Sequence, residues 1–234
     1  MATSFKFADR KKRSLLEGVT EGIAIRILSG DLMENSAIPS EQELSQQLGI
    51  SRATIREAIK LLTSKGLLES IPKVGTMVRP RSNWNALDPQ VLTWMTSSSD
   101  PDVLLEQFLQ LRRSIEPMAC ALAARNATEE QRQQLTTLIE EMSKASERSD
   151  TTACHEADLQ FHSVIFQASG NLFYIPFANL LQSAYSSFFH HSLASRSIGL
   201  KDHRHILDAI LARDPERAYH QSAEMLKTAQ FPAS

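Results

Sequence analysis

The sequence has only two cysteines in 234 residues and no long run of apolar residues. Cys120 and Cys154 both lie in apolar patterns with helical spacing. Two cysteines are too few for a disulfide framework, so we expect buried thiols of a cytoplasmic protein. A membrane-spanning helix needs about 18 or more consecutive apolar residues, and none is expected here. No apolar segment with a cleavage site follows the amino-terminal charge cluster, so a secretory signal is not expected either.

Net charge is low overall, at -2, but it is unevenly distributed. Residues 1–80 contain 12 Lys and Arg against 9 Asp and Glu, whereas the remaining residues contain 13 against 18. A basic first part joined to an acidic second part predicts that the first part meets a polyanion. Random scatter of surface charge would explain the same imbalance.

The first 80 residues have the pattern of a winged helix-turn-helix. Apolar residues at helical spacing precede Gly30, and Ser40 stands three residues before Glu43 in a capping-box arrangement. Gly49 ends this second helix, and a third begins near Ser51. Two short strand-like runs around the tip "PKVG" then predict a β-hairpin.

The third helix carries a row of cations. Arg52, Arg56 and Lys60 are spaced four residues apart and therefore line one helical face, whereas Ile55 and its apolar neighbours lie on another. Such a helix fits the major groove of duplex DNA, where arginine pairs with guanine or binds phosphates. Ordinary cations on a solvated helix would give the same pattern.

Beyond residue 80 the pattern changes. Residues 80–100 are rich in turn-forming residues, hold both tryptophans and predict a linker with one short helix. Helical periodicity then recurs near 101–125, 128–148, 151–168, 172–192, 199–212 and 215–229. We therefore predict a mainly α protein with a DNA-binding domain at 10–79, the linker, and an all-helical domain at 101–229.

Three titratable residues of the helical domain share faces with apolar residues. Asp158 and His162 are four residues apart on one helix, and His203 lies on another. Burial of these groups unpaired would be costly, and a shared metal ion would satisfy all three. A hydrogen-bonded polar cluster, or histidines that simply pack, remain alternatives. So does a metal-dependent enzyme, because two histidines and one carboxylate also form the site of non-heme iron oxygenases.

The stretch "IPSEQELSQQLGISRATIREAIKLLTSKGLLESIPKVGTMV" closely resembles the DNA-binding domain of the GntR family of bacterial transcription regulators. The resemblance implies a double-stranded operator as partner. It also implies DNA contacts from the third helix and the wing tip. In the second helix, many relatives carry an arginine at a contact position that is Gln42 here. The implied residues are Ser51, Arg52, Thr54, Arg56, Lys73, Gly75 and Gln42.

Residues 101–229 resemble the FCD ligand-binding domain of the FadR subgroup through "LRRSIEPMACALAARNAT", "ADLQFHSVIFQASGN" and "DHRHILDAILARDPERA". Many members bind a divalent metal through one aspartate and three histidines. Asp158, His162 and His203 match the first three ligands, and the fourth position falls on Met225. The resemblance implies Zn, Ni or Mn, although a thioether is a poor ligand for these ions.

Arg112 matches an inward-facing arginine of this subgroup. A guanidinium inside a helical bundle needs a carboxylate, which a bound organic acid or a pairing with Asp158 or a neighbouring glutamate would supply. The stretch "NWNALDPQVLTW" is similar to members that respond to sugar acids. The resemblance thus implies a regulator, usually a repressor, controlled by an organic acid. We also expect a homodimer that reads an inverted repeat.

Overall fold

The computed structural model describes residues 10–98, 100–188 and 199–228. The chain divides into two compact units, with the boundary between Ser99 and Asp100. The elements of the first unit are α1 (Arg10–Leu28), α2 (Glu41–Leu48), α3 (Arg52–Ser64), β1 (Leu68–Ile71), β2 (Gly75–Val78), a 3-10 helix (Arg81–Asn83) and α4 (Pro89–Ser98). Those of the second are α5 (Pro101–Asn126), α6 (Glu129–Glu147), α7 (Thr151–Ala168), α8 (Ile175–Phe188), α9 (Leu200–Leu211) and α10 (Pro215–Thr228). The predicted mainly α class is confirmed.

The helix-turn-helix is built as the local sequence predicts. The hydroxyl of Ser40 caps α2 by accepting from the backbone N–H of Glu43. The carboxylate of Glu43 in turn accepts from the backbone N–H of Ser40. Gly49 ends α2 at a φ of 66°, a left-handed conformation that glycine adopts without steric cost. The hydroxyl of Ser51 then accepts from the backbone N–H of Thr54 and caps α3. Two caps and one left-handed glycine thus fix the tight turn before α3.

The wing is a two-stranded antiparallel hairpin. The register pairs Leu68 with Val78 at its base and Ile71 with Gly75 at its tip. Lys73 occupies the turn at a φ of 65°. Leu68 and Val78 are buried in the core, whereas the tip is exposed, so the hairpin projects from the first unit.

The segment predicted as a linker with one short helix contains α4 and packs against the rest of the first unit. Trp84 and Trp94 are buried in the same apolar cluster as α1 and α3. The ammonium group of Lys65, at the end of α3, lies 2.8 Å from the carboxylate of Asp88, which accepts from backbone N–H groups at the start of α4. The turn-rich composition did not predict that both tryptophan side chains would be buried and would anchor this segment to the first unit.

The second unit is a helical bundle centred on α7. This helix packs against α5, α6 and α8, and its large apolar residues Phe161, Ile165 and Phe166 are almost fully buried. The predicted helical blocks are observed within the described residues, and residues 189–192 of one block and residue 229 of another lie outside them. No helix among the described residues is long and apolar enough to cross a membrane.

Candidate nucleic-acid interface and metal centre

The cationic face of α3 is exposed. Arg52, Arg56 and Lys60 are all accessible to solvent, whereas Ile55 and Leu62 on the other face have no exposed surface. This division fits the sequence prediction that one face packs on the domain and the other is available to a partner.

Two of these cations already have acidic partners. Arg56 donates from Nε and Nη2 to the carboxylate of Glu41 on α2, at 2.9 to 3.2 Å. Lys60 lies 2.9 Å from a carboxylate oxygen of Glu57, one turn earlier on α3. The row is therefore a mixed-charge surface.

The other candidate DNA contacts lie near this row or on the wing. Ser51 and Thr54 share a hydrogen bond between their hydroxyl groups at 2.8 Å, so both contribute to the cap of α3. Gln42 is exposed on α2. Lys73 and Gly75 are exposed at the tip of the hairpin.

In the second unit, α7 and α9 bring Asp158, His162 and His203 together. Nε2 of His203 lies 2.7 Å from Oδ1 of Asp158, and Nε2 of His162 lies 3.7 Å from the same oxygen. The two Nε2 atoms are 3.3 Å apart. Both imidazoles are buried, and the Asp158 side chain is 15% exposed. Three ligand atoms thus converge on one point.

The outer nitrogen of each ring is held by a separate acceptor. Nδ1 of His203 lies 2.9 Å from the backbone carbonyl of Gly199, and Nδ1 of His162 lies 3.2 Å from Glu116. A carbonyl only accepts, and an ionised carboxylate only accepts, so each Nδ1 carries the proton. In the neutral rings both Nε2 lone pairs therefore point inward. Such outer hydrogen bonds commonly orient metal-ligating histidines.

This donor set fits a divalent cation. When both rings are neutral, two imidazole nitrogens and one carboxylate oxygen face each other with no donor between them, and a cation or a proton must offset their repulsion. Burial alone would lower the pKa of His203, but the charge of Asp158 and its hydrogen bond raise it overall. Burial alone would raise the pKa of Asp158, and the charge of His203 is the main cause that lowers it overall.

Arg112 pairs with Glu116, a neighbouring glutamate and one of the three partners that the sequence left open. Its Nη2 lies 3.1 Å from one carboxylate oxygen and its Nε donates to the other. Burial alone would raise the pKa of Glu116, but the charges of Arg112 and His162 lower it to about 2. Glu116 therefore joins the arginine to the histidine site through its two oxygens. An incoming carboxylate must share or displace Glu116 to reach the guanidinium.

Met225 is half-buried on α10 and packs against the core of the second unit. The group of potential ligands found among the described residues contains Asp158, His162 and His203. His220, on the same helix as Met225, is exposed.

Two cavities in the second unit differ in their position relative to these residues. A small one of about 10 Å³ is lined by Arg112, Glu116, Phe166, Phe177 and Leu181 among others. A wider groove of about 800 Å³ runs along α6 and α7 past the buried His155. None of Asp158, His162 and His203 lines that groove, so the groove is separate from the candidate metal site.

Sequence reasoning did not identify Glu116 as a partner of His162 or Glu41 as a partner of Arg56. The spacing of Arg112 and Glu116 gave a signal for their own pairing, since residues four apart meet on a helix. Glu41 and Arg56 lie on different helices, and their contact depends on how the turn between α2 and α3 brings these helices together.

Residues 15–78 match the family described as bacterial regulatory proteins, gntR family, and residues 107–228 match the FCD domain. An Escherichia coli protein described as the uncharacterized HTH-type transcriptional regulator YieP is 36% identical over 93% of this chain and 94% of its own length. The chain therefore belongs to the GntR family of transcriptional regulators and carries an FCD domain.

Further relatives agree with this assignment. The galactonate operon transcriptional repressor of Escherichia coli is 28% identical over 86% of this chain and 89% of its own. A solved structure named Streptococcus agalactiae GntR is 25% identical, with a TM-score of 0.52 over 91% of this chain and 98% of its own. These relatives are regulators rather than enzymes, so the alternative of a metal-dependent enzyme is not supported.

Proposed function

We propose that this protein is a cytoplasmic repressor whose binding to a double-stranded operator is controlled by a small organic acid, a sugar acid. Residues 10–79 bind the DNA, and residues 101–229 bind the acid. The observation that carries the DNA-binding half is the exposed cationic face of α3, which lies opposite a fully buried face. The repressor named for the galactonate operon supports the sugar-acid half by its similarity.

Operator recognition comes from α3 and the wing. Arg52 and Arg56 reach base edges or phosphates in the major groove, since arginine pairs well with guanine. The neighbouring contacts to phosphates and the minor groove are assigned to Ser51, Thr54, Gln42, Lys73 and Gly75. The partial positive charge at the start of α3 adds attraction for phosphate.

Charge supports an anionic effector in the second unit. Arg112 carries one positive charge, and Glu116 and Asp158 carry two negative charges between them. A divalent ion such as Zn, Ni or Mn, held by Asp158, His162 and His203, leaves a net charge of +1 when both rings are neutral. Burial of an unbalanced charge is costly, and one carboxylate would balance it.

The space beside Arg112 is too small for a sugar acid, so binding of the acid would change the conformation of the second unit. A cavity of about 10 Å³ holds no more than a single water, so an acid of sugar size requires side chains of α5, α7 or α8 to move. An inducing acid must bind better to the conformation that holds DNA poorly, because equal affinity for both conformations shifts nothing.

The protein acts as a homodimer. One winged helix contacts few base pairs, and a two-fold dimer reads an inverted repeat with twice the contacts. Sedimentation should show a dimer in free solution or on DNA. A monomer under both conditions would exclude this arrangement.

The DNA-binding half is tested with operator and scrambled duplexes. Arg56→Ala should weaken operator binding by about 1–3 kcal/mol if the arginine pairs with a base. Gel shifts of wild type and variant measure this difference. Unchanged affinity for both duplexes would contradict the assignment of Arg56.

The effector half is tested by calorimetric titration of galactonate and related sugar acids into metal-analysed protein. Arg112→Lys keeps the charge but loses the two-pronged hydrogen bonding, so it should weaken acid binding while DNA binding persists. Equal acid affinity of wild type and variant would place the carboxylate away from Arg112. An absence of binding by any tested acid would contradict the sugar-acid assignment.

A further inference from the structure

Glu41 and Glu57 are acidic residues on the surface of α2 and α3 that carries Arg52, Arg56 and Lys60. Glu41 is partly exposed beside Arg56, and the charges of Arg52 and Lys60 also act on it. A carboxylate at this place repels phosphate and therefore weakens general attraction to DNA. A surface built only to attract a polyanion would not place an acid there.

The capping box of α2 does not include Glu41. The capping box at this helix start is formed by Ser40 and Glu43, and the carboxylate of Glu43 satisfies the backbone N–H of Ser40. The ion pair with Arg56 is also too exposed to add much to folding, because solvent screens such pairs. Neither the cap of α2 nor the stability of the fold depends on the bond between Glu41 and Arg56, so this contact is available for another role.

The geometry of the contact suggests that role. Glu41 occupies the Nε and Nη2 side of the Arg56 guanidinium, at 2.9 to 3.2 Å. The opposite edge, formed by Nη1 and the second N–H of Nη2, remains available. An arginine that pairs with guanine presents two parallel N–H groups to N7 and O6, and this edge provides them. A side chain already held in one orientation loses less entropy on binding.

We propose that Glu41 is a positioning residue for sequence readout, which orients the guanidinium of Arg56 so that its outer edge pairs with a guanine of the operator. This role rests on the proposed contact between Arg56 and DNA. Glu41 acts through the arginine in two ways. It favours one hydrogen-bonding orientation, and its charge weakens binding to DNA that offers no guanine at that position.

The experiment uses the full chain and duplexes that the wild-type protein enriches from a random pool. Each guanine of the enriched site is replaced in turn, and a scrambled duplex reports non-specific binding. The variants are Glu41→Gln and the matched control Glu57→Gln, which removes the same charge from an acid that pairs with Lys60 instead. Arg56→Ala identifies the guanine that this arginine reads.

Both glutamine variants should bind scrambled DNA more tightly by similar factors, because each loses one negative charge. Only Glu41→Gln should lower the ratio of operator to scrambled affinity, by about fivefold or more, and at the same guanine that Arg56→Ala affects. In the Arg56→Ala background, Glu41→Gln should cause no further loss of discrimination. Glu41→Asp, which keeps the charge but shortens the reach, should lose discrimination without the gain in scrambled binding.

The possible failures are distinguishable. If Arg56→Ala leaves every guanine preference unchanged, the proposed role of Arg56 fails, and the role of Glu41 fails with it. If Arg56→Ala removes a preference that Glu41→Gln and Glu41→Asp both retain, Arg56 reads the base without help and the positioning role is overturned. Thermal unfolding of each variant checks that the domain remains folded.

Discussion

Nε2 of His162 and Nε2 of His203 lie 3.3 Å apart, and the Nδ1 of each ring is turned toward an acceptor outside the pair. Two nitrogen lone pairs and the carboxylate of Asp158 therefore face one another across a buried space. Such an arrangement is stable when a cation or a proton lies among the three groups. A metal ion bound at the proposed site would therefore compete with a proton for the same position.

Metal binding should depend on His203 and not on His220. We expect His203→Ala to remove the divalent ion, because it deletes one of three ligands, whereas His220→Ala changes an exposed ring on α10. Equilibrium dialysis against Zn, Ni and Mn, followed by elemental analysis, measures the bound ion per chain. Equal metal content in both variants would exclude His203 as a ligand.

Stability of the metal-free protein should decline both at acidic pH, through Glu116, and at alkaline pH, through His203. The pKa of Glu116 falls from an ordinary 4.5 to about 2, so its contribution is present above pH 4.5 and is lost as the pH falls toward 2. A shift of this size corresponds to about 3 kcal/mol. The pKa of His203 is raised from 6.5, so its contribution is present below pH 6.5 and is lost as the pH rises through the folded value.

Urea unfolding of protein treated with a chelator should therefore show greatest stability between about pH 4.5 and 6.5. His203→Gln should flatten the alkaline decline because glutamine does not titrate. Added zinc should also flatten it, since the ion takes the place of the proton. A decline of the same size in His203→Gln would assign the alkaline loss to another group.

The sequence predicted the elements of the fold better than their contacts. The cap at Ser40, the left-handed glycine at Gly49 and the helical spacing of Asp158 and His162 depend on short-range rules that a single sequence contains. The sequence placed His203 with these two side chains because all three share helical faces with apolar residues, which are expected to point into the bundle. The structure brings the three side chains together.

The contacts that sequence reasoning missed depend on packing. Burial of Trp84 and Trp94 against α1 and α3 follows from the path of a segment whose turn-rich composition predicts a linker. The bond between His162 and Glu116 depends on how α5 and α7 lie side by side. No residue spacing specifies distances between elements far apart in the chain.

Gly66 should be intolerant of a side chain. Its φ of 77° is left-handed, and a Cβ atom there would collide with the backbone oxygen of Asn83. Gly49 has a similar φ of 66° but open space around it. We expect Gly49→Ala to cost about 1–2 kcal/mol from backbone strain and Gly66→Ala to cost clearly more. Urea unfolding measures both, and equal costs would show that residues 83–85 adjust without penalty.

Replacing Arg112 or Glu116 alone should lower the free energy of unfolding strongly, whereas replacing both residues together should lower it much less. The Glu116 side chain is 2% exposed and that of Arg112 is 18% exposed, so either charge left alone would be largely desolvated. Arg112→Met or Glu116→Leu should each cost about 3–5 kcal/mol in metal-free protein, whereas the double variant should cost much less than the sum. Urea unfolding of the four proteins in this cycle measures the coupling between the two residues. Strictly additive costs would show that each side chain is stabilised by other neighbours. Arg112 would then need a partner other than Glu116 in the charge balance proposed for the effector site.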